Sequence, residues 1–458
     1  MVIIRECILN NDKEISDKTY TENDITDKDK VREFGVATDI GTTTVAVGLF
    51  RLCDGCCVAN YSETNHQTRY GADVMMRIMN AGLGRQNELH DIIIAQIEDI
   101  ISKMCAQNHI DAREITRMVI VGNTTMCHLF AGKDVSGLAG SPFAVAYEGL
   151  YRTDCSDIGF SDSYNARIYV MPGVAAHVGA DAVSVLCEQE LYSKEKIQLA
   201  IDIGTNAEII LNNKGKLFAC STAAGPAFEG KGVKCGMRAA SGAINGAKIS
   251  RSNGNIILEV IKGNTEKSIE VKGICGSGLV DIIAELARAG ILKKDGYLID
   301  RETARENGYC DEICCRLEEC EDGNSFVLYD NKSSKVIVTQ KDVRSIQLAK
   351  AAIRAGVEIL LQENKLSMKD VDEVKIAGVF GKFIHPKSAV LIGLYPDVES
   401  EKLEFIGNSA GRGAARALLD KNFIKTAEKY AKIVNHTELA DKKEFQNKFM
   451  NAMEFKSW

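Results

Sequence analysis

Apolar and polar positions along the chain form a pattern that occurs twice. Two apolar runs, at 36–40 and 199–203, each end in Asp-Ile-Gly-Thr, and a second apolar run follows each of them, at 45–50 and 207–211. An apolar run, a tight glycine turn and another apolar run are typical of a β-hairpin. The pattern therefore predicts two copies of one hairpin.

A second pair of segments is also repeated. Residues 118–123 and 374–379 each resemble a strand ending at a glycine turn, and helical patterns precede them at 93–104 and 346–363. Strands joined by long helical crossovers are typical of the α/β class. The sequence thus predicts two lobes built from duplicated βα units. The second copy is longer, and its insertion is expected within about 212–343.

These repeats divide the chain. Residues 1–34 are rich in charge and predict a poorly packed polar lead-in. The first lobe is predicted at 35–195, the second at 196–435, and a charged C-terminal tail with helical spacing at 436–458.

Composition limits the classes of function. Apolar residues make up 45% and charged residues 26%, which allows a large buried core. A net charge of -7 argues against binding nucleic acid, because neutralising phosphates needs a basic surface. No apolar run is long enough to span a membrane, and the start of the chain does not resemble a secretory signal. Fifteen scattered cysteines without a disulfide pattern then indicate reduced thiols and a cytoplasmic location.

The first hairpin turn carries side chains suited to a phosphate and its metal ion. Gly41 allows backbone N–H groups to approach a phosphate, because no Cβ intervenes. Thr42, Thr43 and Thr44 add hydroxyl donors, and Asp39 could hold Mg²⁺ through water. One such turn is equally well explained as a capped hairpin.

The second copy changes this interpretation. Asp202, Gly204, Thr205 and Asn206 repeat the arrangement in the other lobe. Two facing hairpins could clamp the β- and γ-phosphates of a nucleotide from both sides. We therefore expect Asp39 and Asp202 to be the carboxylates that serve catalysis and the metal ion.

A third carboxylate, Asp181, lies near the start of a predicted helix. It could simply stabilise the helix N-terminus, or it could orient the group that attacks the γ-phosphate. Residues 225–232 nearly match a P-loop, but Gly232 lacks the hydroxyl that binds Mg²⁺ there. We interpret this segment, beginning at Gly225, as a loop at the edge of the nucleotide site.

Two further glycine motifs are candidates for nucleotide contact. Gly276, Ser277 and Gly278 open a helical pattern, where small residues favour either an anion at the helix N-terminus or close packing. Gly378 and Gly381 follow a predicted strand and could allow an adenine ring to lie flat on the backbone.

The cysteines form two local groups, a larger one inside the predicted insertion and a smaller one near the first hairpin. They are Cys310, Cys314, Cys315 and Cys320, and Cys53, Cys56 and Cys57. Thiols this close could bind zinc or an iron–sulfur cluster, but the spacing matches neither paired zinc motifs nor ferredoxin motifs. A cluster is possible but is not expected.

Taken with their order, these motifs resemble the ASKHA superfamily, which contains acetate and sugar kinases, Hsp70 and actin. Four longer strings resemble the ATPase domain of the reductive activators of corrinoid proteins over roughly 35–418: Gly122-Asn123-Thr124-Thr125-Met126, and the segments 224–230, 274–281 and 406–410.

This resemblance implies a function. In that family ATP turnover drives the uphill return of a Co(II) corrinoid to Co(I). It implies that Gly378 and Gly381 border adenine and that Asn123 belongs to the nucleotide site. It also implies phosphate and Mg²⁺ contacts from Asp39, Thr42, Thr43, Asp202, Thr205 and Asn206.

One departure affects the electron source. Family members usually carry an iron–sulfur domain in the same chain, whereas only 34 residues precede the first lobe here, with Cys7 as their one cysteine. We expect a corrinoid protein as partner, a separate ferredoxin or other electron donor, and possible homodimers. The alternatives are an electron-activating ATPase for another low-potential enzyme, a small-molecule kinase and a non-catalytic nucleotide-dependent scaffold.

Overall fold

The computed structural model describes residues 2–7, 32–263, 270–378 and 383–458. The strands are β1 (Val2–Cys7), β2 (Phe34–Ile40), β3 (Thr44–Arg51), β4 (Cys57–Thr64), β5 (Ile115–Gly122), β6 (Tyr151–Asp154), β7 (Arg167–Val170), β8 (Ile197–Ile203), β9 (Asn206–Asn213), β10 (Lys216–Ala223), β11 (Ala243–Ile249), β12 (Ile256–Ile261), β13 (Gly273–Ile274), β14 (Leu317–Cys320), β15 (Gly323–Asp330), β16 (Lys335–Thr339), β17 (Glu373–Ala377), β18 (Leu403–Gly407) and β19 (Asn435–His436).

The helices lie between these strands and at the C-terminal end. They are α1 (Val74–Asn80), α2 (Gln86–Asn108), α3 (Thr124–Phe130), α4 (Ala180–Glu188), α5 (Gly276–Arg288), α6 (Arg301–Glu306), α7 (Asp311–Cys314), α8 (Gln340–Glu363), α9 (Pro386–Ile392), α10 (Ser409–Leu419), α11 (Lys421–Ala431) and α12 (Lys443–Ala452).

Two six-stranded sheets carry the predicted duplication. The first lobe is built on the order β4-β3-β2-β5-β7-β6, and the second lobe on β18-β17-β8-β9-β10-β19. In both sheets a hairpin, β2–β3 or β8–β9, lies beside parallel strands, because helix α2 or α8 carries the chain back to the starting edge. The predicted α/β class with duplicated βα units is confirmed.

Extra elements distinguish the second lobe from the first. Between β4 and α2 the first lobe has only residues 65–85, whereas residues 224–339 connect β10 to α8. This longer connection contains helices α5–α7, the sheet β14-β15-β16 and most of the sheet β1-β12-β11-β13.

The N-terminal strand is a difference from the expected polar lead-in. Strand β1 pairs in parallel with β12, from Val2 opposite Ile256 to Cys7 opposite Ile261. The edge of β12 offers unpaired backbone N–H and C=O groups, which a further strand can satisfy. The remainder of the lead-in, 8–31, lies outside the described residues.

The chain returns to the first lobe after β18. Buried side chains of α10 and α11, such as Leu418 and Phe423, belong to the same hydrophobic core as the first sheet. Helix α10 also packs directly on α4, where the Ser184 hydroxyl donates to the Ala410 carbonyl at 2.8 Å. A Cβ at Gly413 would stand 2.1 Å from the Ser184 oxygen, so this helix contact needs glycine. The proposed boundaries of the two lobes stay a prediction.

The C-terminal segment is attached to the second lobe. Strand β19 pairs with β10, and α12 packs along α8. The fully buried Lys350 of α8 donates to the carbonyls of Ala452 and Glu454. Burial lowers the pKa of Lys350 to about 7. Across the described ranges, every helix is too short or too polar to cross a bilayer.

Candidate functional site

The two hairpin turns meet between the lobes. The Thr43 and Thr205 hydroxyl oxygens lie 2.8 Å apart and are buried, although the residues are 162 positions apart in the chain. Each turn is tight: the Gly41 N–H donates to the Thr44 carbonyl at 2.9 Å, and the Gly204 N–H to the Asn206 carbonyl at 3.0 Å. The predicted facing of the two hairpins is therefore present in the structure.

Asn123 forms a hydrogen bond with the first hairpin turn. It follows β5 and caps helix α3, with its side-chain oxygen accepting from the Met126 N–H at 3.0 Å. Its amide nitrogen donates to the Thr42 hydroxyl at 2.9 Å. The predicted residues Thr42 and Asn123 are thus in direct contact, and Asn123 fixes the orientation of the threonine.

Three carboxylates lie on elements that lead to the two hairpin turns or face them. Asp39 is the penultimate residue of β2, Asp202 is the penultimate residue of β8, and Asp181 lies in the first turn of α4. Burial raises the pKa of Asp39 to about 6, of Asp181 to about 7 and of Asp202 to about 8. For Asp202 the charges of Asp181 and Asp39 add to the effect of burial, so the three predicted carboxylates interact electrostatically across the lobes.

A fourth carboxylate, Glu208, was missed by the sequence interpretation. It lies on β9 directly opposite Asp202, where the first hairpin has Ala46 opposite Asp39. Glu208 is buried, and burial together with the charge of Asp181 raises its pKa well above the usual range. Its position inside an apolar strand run was the available signal, since a strand that is buried on both faces seldom carries glutamate.

The donor set fits a hydrated Mg²⁺ ion. Carboxylates held at raised pKa values are stabilised by a nearby cation, and oxygen is the ligand that Mg²⁺ prefers. Within the parts of the chain that the structure describes, no three His, Cys, Asp or Glu side chains lie close enough to bind one metal ion between them. The geometry thus fits an ion that one or two carboxylates hold together with water and phosphate oxygens.

The raised pKa values predict how stability depends on pH. Between about pH 4 and pH 8 the folded protein holds more protons on Asp39, Asp181 and Asp202 than the unfolded chain does, so its free energy of unfolding falls as pH rises. We expect the metal-free protein to lose ~2 kcal/mol or more between pH 5 and pH 8 through these groups. Urea unfolding measures this. Asp202→Asn should flatten the dependence, and an equal slope in that variant would contradict the expectation.

Arg77 is a second residue that the sequence interpretation missed. It lies on α1 with a fully buried side chain, and its guanidinium donates to the Thr42 carbonyl of the first hairpin turn. Further contacts reach the Gln67 side-chain oxygen at 3.3 Å and the Met126 sulfur at 2.9 Å. Burial lowers the pKa of Arg77 to about 10. This places a positive charge behind the hairpin turn.

The predicted residue Gly378 follows β17 directly and lies beside the second hairpin. It has a φ of +94°, and a Cβ there would stand 2.4 Å from the Ile203 carbonyl oxygen. In the first lobe, a Cβ at Gly122 would stand 2.6 Å from the Ile40 carbonyl oxygen, so both sheets repeat this close approach. The predicted residue Gly381 lies outside the described residues.

The remaining predicted glycines divide into two groups. The Gly225 N–H donates to the Thr205 carbonyl at 2.8 Å, which places that loop beside the second hairpin. Gly276 and Gly278 begin α5, where a Cβ would meet the Phe228 carbonyl oxygen at 1.7 Å or the Ile244 carbonyl oxygen at 2.1 Å. These two glycines and the buried Ser277 therefore have a packing role, and contact with a nucleotide stays a prediction for them.

The cysteines of the larger group point to separate backbone carbonyls. The Cys314 thiol donates to the Tyr309 carbonyl at 3.7 Å, the Cys320 thiol to the Gly323 carbonyl at 3.2 Å, and the Cys310 thiol to the Arg251 carbonyl at 3.9 Å. Cys315 is exposed.

We expect this group to be dispensable for ATP turnover, because its members lie in the connection 224–339 and have separate local partners. Replacing the exposed or partly exposed thiols by Ser and the buried Cys314 by Ala should keep ATPase activity within ~2-fold of the unaltered protein, as is usual for changes away from a site. Phosphate release measures this. Abolished activity in the variant, together with stoichiometric iron or zinc in the unaltered protein, would contradict it.

Two family models match almost the whole chain. The model described as the RACo middle region matches residues 34–194, and the model described as the C-terminal domain of RACo, the ASKHA domain, matches residues 196–457. The chain belongs to the RACo family. The resemblance to reductive activators and the ASKHA fold class, both predicted from the sequence, are confirmed.

Individual members of the RACo family and related proteins are similar over most of the chain. The corrinoid activation enzyme RamQ of Eubacterium limosum is 36% identical over 429 residues, covering 92% of this chain and 70% of RamQ. A protein of Methanosarcina barkeri named [Co(II) methylated amine-specific corrinoid protein] reductase is 24% identical, covering 92% of this chain and 77% of its own length. A solved structure titled reductive activator for corrinoid, iron-sulfur protein has a TM-score of 0.82 and 35% identity, covering 93% of this chain and 67% of that one.

Proposed function

We propose that this chain binds Mg-ATP between its two lobes, hydrolyses it, and uses the hydrolysis to drive reduction of a Co(II) corrinoid protein to Co(I), with electrons from a separate donor such as a ferredoxin. The observation that carries the proposal is the buried contact between the Thr43 and Thr205 hydroxyls, in the two turns that follow the electrostatically interacting carboxylates Asp39 and Asp202. Membership of the RACo family and the functions for which RamQ and the Methanosarcina protein are named support the corrinoid part.

Different residues of the site serve phosphate binding, metal binding and hydrolysis. The turns at Gly41 and Gly204 bring backbone N–H groups to the phosphates. The positive charge of Arg77 behind the first turn favours the binding of these anions. Asp39 and Asp202 would hold a hydrated Mg²⁺, which would neutralise phosphate charge. Asp181 has a pKa raised to about 7. It can orient the attacking water or accept a proton from that water.

The coupling to reduction follows from the two-lobed arrangement. The carboxylates and the hairpins come from both lobes, so binding and loss of the γ-phosphate favour different lobe positions. A partner that prefers one position is then shifted between states by its difference in affinity. A ~1,000-fold preference corresponds to roughly 4 kcal/mol, which is sufficient to move a redox equilibrium appreciably.

The experiment combines this protein, Mg-ATP, a low-potential reductant or ferredoxin and the candidate corrinoid protein under anaerobic conditions. We expect the absorption spectrum of Co(I) to appear with ATP and to be absent with a non-hydrolysable ATP analogue. Omitting the electron donor should also prevent it. A spectrum that ATP leaves unchanged, with no effect of the partner on phosphate release, would contradict the corrinoid assignment for that partner.

A further inference from the structure

A buried carboxylate next to the two hairpins has one oxygen without a partner. Glu229 lies in the turn after β10 with 8% of its surface exposed, and its Oε1 accepts a hydrogen bond from the Thr205 hydroxyl at 2.6 Å. Its Oε2 is buried and makes no hydrogen bond with any residue the structure describes. An unsatisfied buried carboxylate oxygen is energetically costly, and it indicates a water molecule or an ion at that position.

The hydrogen bond to Glu229 fixes the direction of the contact between the hairpins. A threonine hydroxyl has one proton, and the Thr205 proton is directed to Glu229. In the contact between the two hydroxyls, Thr205 must therefore accept and Thr43 must donate. The proton chain runs from Thr43 through Thr205 to Glu229.

We propose that Glu229 makes the two contacting threonines, Thr43 and Thr205, chemically different toward Mg-nucleotide. Once a phosphate separates the hairpins, Thr43 is free to donate its proton to a phosphate oxygen. Thr205, whose proton stays with Glu229, presents lone pairs that would accept from water bound to Mg²⁺, and the Oε2 of Glu229 would offer a second acceptor to that water. This inference rests on the nucleotide-binding part of the proposed function.

The two turns differ in the groups that contact them directly. The Arg77 guanidinium donates to the Thr42 carbonyl of the first turn. At the second turn, Glu208 lies opposite Asp202, and Glu229 accepts from the Thr205 hydroxyl. Arg77 and Lys231 also interact electrostatically with Glu229, so positive charge lies near this carboxylate, although neither cation contacts a threonine hydroxyl in the described hydrogen bonds.

Three single variants separate the two roles: Thr43→Val, Thr205→Val and Glu229→Gln, with the exposed Glu319→Gln as a matched control. Two binding constants are measured with a non-hydrolysable ATP analogue. Titration calorimetry in EDTA gives the affinity for metal-free nucleotide. Electron paramagnetic resonance of Mn²⁺, which replaces Mg²⁺, gives the affinity of the nucleotide complex for the metal ion.

We expect Thr205→Val and Glu229→Gln to weaken Mn²⁺ binding by ~10-fold or more, which corresponds to about 1.4 kcal/mol. The affinity of these two variants for metal-free nucleotide should change by less than ~3-fold. Thr43→Val should weaken binding of metal-free nucleotide by ~10-fold or more and change Mn²⁺ affinity by less than ~3-fold. Thr43→Ser and Thr205→Ser keep the hydroxyl and should restore both constants, which separates loss of the hydroxyl from a folding defect.

Each outcome has a defined meaning. If both valine variants alter the same constant, or if Glu229→Gln leaves Mn²⁺ affinity unchanged, the division of roles is wrong even though the unaltered protein binds nucleotide. If the unaltered protein binds nucleotide neither with nor without the metal ion, the proposed function itself fails, and the inference fails with it.

Discussion

Asp202→Ala should remove most phosphate release, with an expected loss of 10²-fold or more, on the order of what deleting one preorganised electrostatic group costs. The carboxylate lies one residue before the end of β8, next to the hairpin turn, and its pKa is raised to about 8 by burial and by Asp181 and Asp39. Water cannot replace it at a fixed position between the lobes. Steady-state phosphate release at saturating Mg-ATP is the measurement.

The control for this prediction is Asp397→Ala, which removes an exposed carboxylate outside the site. Its phosphate release should match that of the unaltered protein. If Asp202→Ala keeps an unchanged circular dichroism spectrum and releases phosphate at a near-normal rate, Asp202 does not belong to the ATPase site.

Gly276→Ala should destabilise the protein severely. An alanine Cβ would stand 1.7 Å from the Phe228 carbonyl oxygen, which is backbone and cannot rotate away. Either α5 moves off β11 or the loop carrying Glu229 shifts. We expect the free energy of unfolding to fall by ~4 kcal/mol, in the range of the largest single-residue effects. Urea denaturation monitored by circular dichroism measures it.

A matched variant, Gly140→Ala, tests the steric origin of this effect. Nothing lies within 4 Å of a Cβ at Gly140, and its φ is in an extended region. This change should alter the free energy of unfolding by less than ~0.5 kcal/mol, as surface substitutions usually do. Equal destabilisation by both variants would mean that glycine flexibility, and not the contact with Phe228, controls stability.

The hairpins were predictable because their signal is local. Each Asp-Ile-Gly-Thr string joins a strand, a tight turn and a second strand within one short segment, 34–51 or 197–213, and the repeat indicated that two such units face each other. The particular contact between the Thr43 and Thr205 hydroxyls is visible only in the structure.

The supporting residues were not predictable in the same way. Arg77, Glu208 and Glu229 are ionisable side chains whose burial depends on elements distant in the sequence. Strand β1 likewise pairs with β12, and nothing within residues 1–34 indicates that partner. The role of Gly276 and Gly278 could not be predicted from the sequence either. Small residues at the start of a helix are compatible with both an anion site and a close backbone contact, and the structure shows the close contact.

The contact between α4 and α10 is a point at which the two lobes are joined. The Ser184 hydroxyl occupies the space that a side chain at 413 would need, and Arg412 holds Glu188 at 3.1 Å one turn further along. Helix α10 follows β18 of the second lobe but packs, like α4, in the core of the first lobe, so the two helices cannot separate without losing buried contacts. We expect the lobes to stay attached at this pair and to move relative to each other by rotation about it. A small displacement at the phosphates would then produce a larger one at surfaces far from the pair, where a partner protein can bind.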